Sequence, residues 1–285
     1  MRAEEIRARR RLMASRGAKQ TFTYVGIILM SIWAVFPLFW MIIISLKERI
    51  YTYDPSVWIF QPVFENYVSV FAEKNLGKFL INSAIVSLST TFLALFFGTL
   101  AAYGFSRFKV KRMRGLMFFL LAVRMIPSVA IVIPIFVIAR FGSMLDTRLL
   151  LIITYMIFNI PFTVWMMKGF FDEIPKELEE AAKVDGCTTL QTLYKIVLPV
   201  VQPGLIATSI FCIISSWNEF VYALFLTSIK SVTTPTIVQM FLSIQGVAWG
   251  EMSAVGTVSI MPVLLFAMIV QKNMVRGLSF GAVKG

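Results

Sequence analysis

The sequence predicts an all-α integral membrane protein with six transmembrane helices, and three observations carry that reading. The 285 residues are 58% hydrophobic and only 15% charged, with a mean hydropathy of +0.79; a soluble domain of this size carries roughly 25% charged residues. The apolar residues are gathered into six runs long enough to cross a bilayer at about 1.5 Å rise per residue. The cations lie almost entirely between those runs, and they lie unevenly.

The runs cover residues 22–46, 79–105, 115–139, 149–167, 203–228 and 253–271. Residues 1–21 precede the first and 272–285 follow the last, so 22–271 reads as one six-helix membrane domain. The first run exceeds the 7–15 residues of a signal-peptide core and no small-x-small cleavage site follows it, so it is expected as a retained helix. Lys and Arg set the orientation. Nineteen fall in 1–21, 106–114, 168–202 and 272–285, against seven in 47–78, 140–148 and 229–252, with Arg124 inside a span. Both ends of the chain are therefore expected on the cytoplasmic side, and 47–78, 140–148 and 229–252 are expected as outer loops.

Several functions are set aside by composition. The net charge is +12, yet no basic run is interleaved with aromatics as a single-strand binder requires, so no nucleic-acid partner is expected. There is no histidine, and the two cysteines, Cys187 and Cys212, build no disulfide framework. No GxxxxGK[ST] loop occurs, so no ATP site of that kind is expected in the chain. No metal or cofactor site and no catalytic set is expected.

The most informative stretch is the cytoplasmic loop 171–202, which reads as two short helices. Pro175 suits a first helical position, and Glu177, Glu179 and Glu180 suit the positive N-terminal end. Gly186 is placed to take a left-handed cap. Thr188 with Gln191 has capping-box spacing, and Pro199 is expected to end the second helix near Lys195. The apolar stripes are read as Ile174, Leu178 and Ala181/Ala182, then Leu190, Leu193, Tyr194 and Val197. Two readings stand on these residues alone: a lever that moves spans four and five, or a loop that packs beneath its own bundle.

Glu180-Ala181-Ala182, then Gly186, then Ile196, Leu198 and Pro199 match, at every fixed spacing, the EAA loop of ABC-importer permeases. Flanking residues resemble the carbohydrate and polyol branch, that of the MalG component of the maltose importer. They are Arg124-Met125-Ile126-Pro127 with Pro134, Gly169-Phe170-Phe171, Ile174-Pro175-Lys176-Glu177, Trp217-Asn218-Glu219-Phe220, and the tail Val275 to Gly285. The resemblance implies a type I importer fold with a cytoplasmic coupling helix between helices four and five. It implies half of a pathway for a sugar, oligosaccharide or polyol in a bacterial or archaeal plasma membrane.

The partners it implies are a second, non-identical permease, two ATPase subunits that bind the ATP and Mg, and an extracytoplasmic solute-binding protein. The same resemblance places Glu180, Ala181, Ala182, Asp185, Gly186, Ile196, Leu198 and Pro199 at the ATPase contact, with Ala282, Val283 and Lys284 of the tail as further contacts.

Polar groups inside the spans are candidates for the pathway or its gate: Arg124, Asn159, Asn218 and Glu219. Arg124 costs roughly 2.5–3.5 kcal/mol in a helix centre unless it meets protein or water. Either it lines the pathway or fixes the interface with a second permease, or it locks packing, for example against Glu219. Ala94, Gly98 and Ala102 form a small-xxx-small ridge, read as a packing face. Pro127, Pro134, Pro161 and Pro262 mark expected kinks. An ion-coupled carrier is the competing function class, and Glu219 is the one convincing intramembrane carboxylate for it.

Overall fold

The computed structural model describes residues 2–108, 111–243 and 246–281, with side chains placed for 20–108, 111–242 and 246–269. The tail residues Ala282, Val283 and Lys284 lie outside the described residues. The chain divides into two units, Met1–Ser69 with Ala248–Thr257, and Val70–Val247 with Val258–Gly285.

The first unit begins with helix α1 (Arg2–Ser45), whose Gln20–Ser45 portion is long and apolar enough to cross a membrane. A 3₁₀ turn (Arg49–Tyr53) and the short α2 (Glu65–Val68) follow. The loop between them is folded back onto the end of α1 rather than left as an open connector. Asn66 Nδ2 donates to the carbonyls of Ser45 (3.0 Å) and Lys47 (2.9 Å). The Lys47 side chain is fully enclosed, its ammonium donating to Asp54 O at 3.2 Å and lying 5.5 Å from the Trp40 ring and 5.6 Å from Phe60. Two aromatic faces and a carbonyl replace the water an enclosed ammonium loses.

The second unit is a helix bundle built on α3 (Leu76–Arg107) and α6 (Arg148–Asp172), which pack along each other. Ala94 and Ala102 are fully buried on α3, and Gly98 lies so close to α6 that a Cβ there would sit 2.6 Å from Thr163 Cβ. The small-residue ridge is thus a packing face, as its spacing predicts. α10 (Gln202–Trp217) packs on both helices, and Trp217 Nε1 donates to Ser259 O at 3.1 Å. α12 (Trp249–Gly281) is the last helix.

Two of the six expected spans are not single helices. The third is split into α4 (Met113–Met125) and α5 (Ser128–Phe141), bent by 90° at Ile126-Pro127. Pro127 pushes Ile126 into an extended conformation (φ −72°, ψ 127°), which stops α4. Pro134, Pro161 and Pro262 instead sit inside continuous helices.

The fifth is split into α10 and α11 (Val221–Leu226). Its break has a side-chain cause: the Glu219 carboxylate accepts from the backbone N–H groups of Tyr222 (3.1 Å) and Ala223 (3.2 Å). A carboxylate that satisfies the first orphan donors of a helix starts a new one there. Among the described residues four helices are long and apolar enough to span alone; counting α4 with α5, and Thr189–Val200 with α10 across an 82° bend, as one bent span each raises that to as many as six.

Between α6 and α10 lie α7 (Lys176–Val184), α8 (Thr189–Thr192), a π turn (Leu193–Val197) and α9 (Leu198–Val200). After α11 a 3₁₀ segment (Thr234–Phe241) rests on α3, and Leu242–Ser243 pairs antiparallel with Gly246–Val247. That small hairpin is the one departure from an all-α reading among the described residues.

Candidate functional site

The loop between α6 and α10 folds as a compact lobe with well-defined ends. Pro175 occupies the N-cap rather than the first turn of α7, with φ −57° and ψ 136°. α7 closes on Gly186 at φ +83°, where Gly186 N–H bonds Lys183 O and Cys187 N–H bonds Ala182 O, both at 3.0 Å. This crossed pair is a Schellman motif, and its left-handed residue favours glycine. Thr188 and Gln191 form the expected capping box, at 3.3 and 2.9 Å.

The second helical stretch does not stop near Lys195 as its proline predicts. A π turn carries the Leu198 N–H to Leu193 O, and the helix resumes with Pro199 in the first turn of α9, where no N–H is needed.

The lobe has an inner and an outer face, and the expected apolar stripes are divided between them. Ile174, Leu193 and Val197 are buried against Ala102, Tyr103, Met167 and Phe171 of the bundle, and Ala182 is buried as well. Leu178, Val184 (88% exposed), Leu190 (70%) and Tyr194 (75%) face outward with Glu180, Ala181 and Asp185. Ile196 and Leu198 are half-buried and Pro199 is exposed. The lobe therefore packs beneath its own bundle and still presents an apolar outer surface.

Glu179, expected as one of three acidic residues at a helix start, is turned inward and buried. It is ion-paired with Arg107 of α3 and accepts from Tyr103 Oη at 2.8 Å. Arg107 also donates to Ile174 O at 3.2 Å, and Ser106 Oγ donates to Asp172 at 2.6 Å.

The intramembrane candidates separate into two groups. Asn159 is enclosed, its amide donating to Tyr155 O (3.0 Å) and to Ser216 Oγ of α10 (2.9 Å), so it joins α6 to α10. Arg124 is exposed at the end of α4, with its guanidinium 4.9 Å from the Phe162 ring. Glu219 is committed to capping α11 and forms no ion pair with Arg124, so the packing lock read from sequence is not the arrangement present. Asn218 is exposed at the α10–α11 break. Phe162 in turn meets Phe211 edge-on at 5.9 Å. One side of the bundle thus carries an exposed guanidinium stacked near the Phe162–Phe211 pair.

At the opposite end of α3 a second polar knot holds the segment 228–234. Asp146, at φ 58°, accepts from the backbone N–H groups of Ser228, Ile229, Lys230 and Ser231 at 2.9–3.1 Å. Asn82 Nδ2 donates to Lys230 O (3.0 Å) and Val232 O (2.8 Å) while its Oδ1 accepts from Arg148. Ser83 and Thr234 share a hydroxyl contact at 2.9 Å.

Burial works against ionisation of Asp146, but the N–H donors of Lys230, Ser231, Ser228 and Ile229 outweigh it and hold the carboxyl well below the usual carboxylate range. With its folded value depressed, its contribution is complete at neutral pH and is lost only as pH falls through that depressed value. Asp146→Ala should therefore speed amide exchange at 228–231 by at least about tenfold. Asp146→Asn, with one acceptor oxygen, should fall between. Intrinsic-rate-corrected exchange mass spectrometry from about pH 5 to 8 should show flat protection in the parent chain.

Residues 94–280 match the model of the family described as binding-protein-dependent transport system inner membrane component. The chain belongs to that family. The permease is 32% identical over 271 residues to the trehalose/maltose transport system permease protein MalG of Thermococcus litoralis, covering 94% of this chain and 98% of that protein. It is 34% identical over 254 residues to the sulfoquinovosyl glycerol transport system permease protein SmoH of Agrobacterium fabrum, covering 88% and 89%.

Its fold is similar to that in a crystal structure of a bacterial ABC transporter involved in import of the acidic polysaccharide alginate. The TM-score is 0.74 at 23% identity, over 90% of this chain and 97% of that one. The permease thus has the type I ABC-importer fold and is a membrane transport subunit.

Three features of the permease escaped the sequence reading. The inward turn of Glu179 had one available signal, Tyr103 and Arg107 four residues apart on one face of α3. The Asp146 clamp and the Asn82 bridge had none, because the groups they hold lie more than 80 residues from Asp146 and 66 to 150 residues from Asn82.

Proposed function

We propose that this permease forms half of the translocation pathway for a sugar, oligosaccharide or polyol and is driven by separate ATPase subunits that dock on the α7–α9 lobe. One observation carries the reading: a capped lobe whose inner face is packed on the bundle and whose outer face exposes Leu178, Val184, Leu190 and Tyr194 beside Glu180, Ala181 and Asp185. Apolar surface of that kind on a water-facing lobe is the mark of a docking site. The transport systems named for its relatives carry carbohydrates, and the family description specifies a binding protein.

The rest of the assembly follows from the same reading. A second, non-identical permease completes the pathway and covers the side that carries Arg124, Phe162 and Phe211, since an exposed guanidinium is not stable against lipid. The binding protein meets the outer loops, including 229–252. Both ends of the chain face the cytoplasm, α7 serves as coupling helix in a bundle of six spans, and the tail residues Ala282, Val283 and Lys284 reach the ATPases. The chain has no chemistry of its own; ATP and Mg belong to the ATPases. Closure of the ATPase dimer draws the lobes together and turns the pathway outward, and reopening returns it, each state biased by ligands at two separated sites.

Purification from the native membrane tests this directly. An ATPase and a second permease should co-purify, and uptake in liposomes should require ATP and the binding protein. Uptake by this chain alone, driven by an ion gradient, would establish the carrier reading built on Glu219 instead.

A further inference from the structure

We propose that α3, the second span, is the transmission element of this permease, tied to the coupling lobe by Arg107, Tyr103 and Glu179 and to the outer segment 228–234 by Asn82, Ser83 and Lys78. The inference rests on the docking reading of the α7–α9 lobe and adds to it the path by which a push on that lobe leaves it. In chain order α7 is joined to α6 and α10, so those spans are the expected load-bearers. The side-chain geometry adds a third connection that chain order does not contain.

At one end of α3 the Arg107 and Glu179 side chains retain only 8% and 6% of their exposure. Glu179 spends both carboxylate oxygens on α3, one on Arg107 Nε and one on Tyr103 Oη at 2.8 Å. Arg107 reaches the start of the lobe a second time, donating to Ile174 O at 3.2 Å. A buried ion pair adds little net stability over an apolar pair of similar size, but it fixes one register, because any slip leaves a buried charge without its partner. The lobe therefore cannot slide on α3 without breaking three charge-assisted contacts at once.

At the other end Asn82 bridges Lys230 O, Val232 O and Arg148, Ser83 bonds both the hydroxyl and the N–H of Thr234, and Lys78 donates to Ile229 O at 3.0 Å. Asn82 and Arg107 are 25 residues apart on an unbroken helix, roughly 38 Å at the α-helical rise. α3 contains no proline, and between the two knots it is packed closely on α6 at Gly98. A stiff rod with a register-fixing knot at each end moves the outer 3₁₀ segment when the lobe moves. This is a two-ended mechanical element rather than a chain of neighbouring contacts, which is what a claim of coupling requires. Glu179, Arg107 and Asn82 are positioning residues in this scheme, acting through α3.

The test uses the assembled importer in lipid nanodiscs, with Cys187 and Cys212 replaced by Ser and Ala and the exposed Met240→Cys in the outer 3₁₀ segment as reporter. ATP with vanadate is the probe, so no transported solute is needed. The rate of Met240→Cys modification by a membrane-impermeant maleimide should change on adding the probe. Glu179→Gln, Arg107→Met and Asn82→Leu should each reduce that change by roughly tenfold, within the range of coupling between distant sites, while ATP is still hydrolysed. The exchanged pair Arg107→Glu with Glu179→Arg should recover it, which a variant that merely misfolds would not do.

A full response in assembled Glu179→Gln importer overturns the lock at the lobe. A full response in Asn82→Leu overturns the rod and leaves motion through α6 and α10. If the Met240→Cys importer with Glu179, Arg107 and Asn82 intact shows no response although ATP and vanadate trap its ATPases, the transmission role of α3 is overturned. If no ATPase co-purifies with the chain, the docking reading itself fails, and that outcome is distinct from the others.

Discussion

Gly186→Asp should reduce uptake to background while the isolated ATPase subunits hydrolyse ATP at their normal rate. The expectation comes from separating what the substitution does to the fold from what it does to the outer face. Gly186 has φ +83°, and a Cβ at this position would meet nothing within 4 Å. The cost to the fold is therefore the left-handed backbone alone, about 1–2 kcal/mol for an L-residue and less for Asp, which tolerates this region.

The effect on the surface is larger. The new carboxylate sits beside Asp185 at the C-terminal end of α7, where the helix dipole is already negative. Any partner seated on Leu178, Val184 and Leu190 then meets an extra charge at the rim. Gly186→Asn, equally tolerant of the backbone and uncharged, should retain most uptake. Membrane fractions carrying normally assembled Gly186→Asp importer with normal uptake would remove the lobe from any role in coupling.

The second large effect is expected at Gly98. A leucine there cannot be placed without moving α3 away from α6, since even a Cβ would lie 2.6 Å from Thr163 Cβ and Cγ2 and 3.4 Å from Ile160 O. Overpacking of a buried contact costs typically 1–3 kcal/mol, and here both partners are on long helices with no slack. Gly98→Leu should abolish recovery of folded protein from the membrane. Gly98→Ala should lower the midpoint of thermal unfolding by several degrees in detergent. Combining Gly98→Ala with Thr163→Gly returns one Cβ to the contact from the other side and should recover most of that loss. If the single and double variants unfold at the same temperature, the close contact is not what holds α3 to α6.

Both expectations involve residues whose importance is visible in the sequence, and that is not accidental. Gly186 is marked by the end of a charged helix, with Thr188 and Gln191 beginning the next. Gly98 is marked by Ala94 and Ala102 at four-residue spacing. In each case the signal is local, because capping and helix-face periodicity involve residues within one or two turns of each other.

The misreadings have the opposite character. Leu178 is a better apolar stripe residue than Glu179, yet Glu179 is the one enclosed, because α3 supplies an arginine and a tyrosine at that point. Residues 203–228 read as one span, yet Glu219 takes the N–H groups of Tyr222 and Ala223 and starts a new helix. Asn159 was a pathway candidate by being polar within a span; its partner Ser216, 57 residues on, makes it a joint.

The distribution of apolar and basic residues by itself determined that this chain is a bundle of membrane-crossing helices, and the EAA spacing determined its family. Those properties are summed over many residues, and no single contact can reverse them. The tertiary structure decided which faces of the lobe are buried and which are exposed, where two of the spans break, and that α3 joins the lobe to segment 228–234. Each of these turns on one polar group finding a partner far away in sequence. An enclosed polar group without a partner costs more than any local preference provides, so the partner decides the geometry.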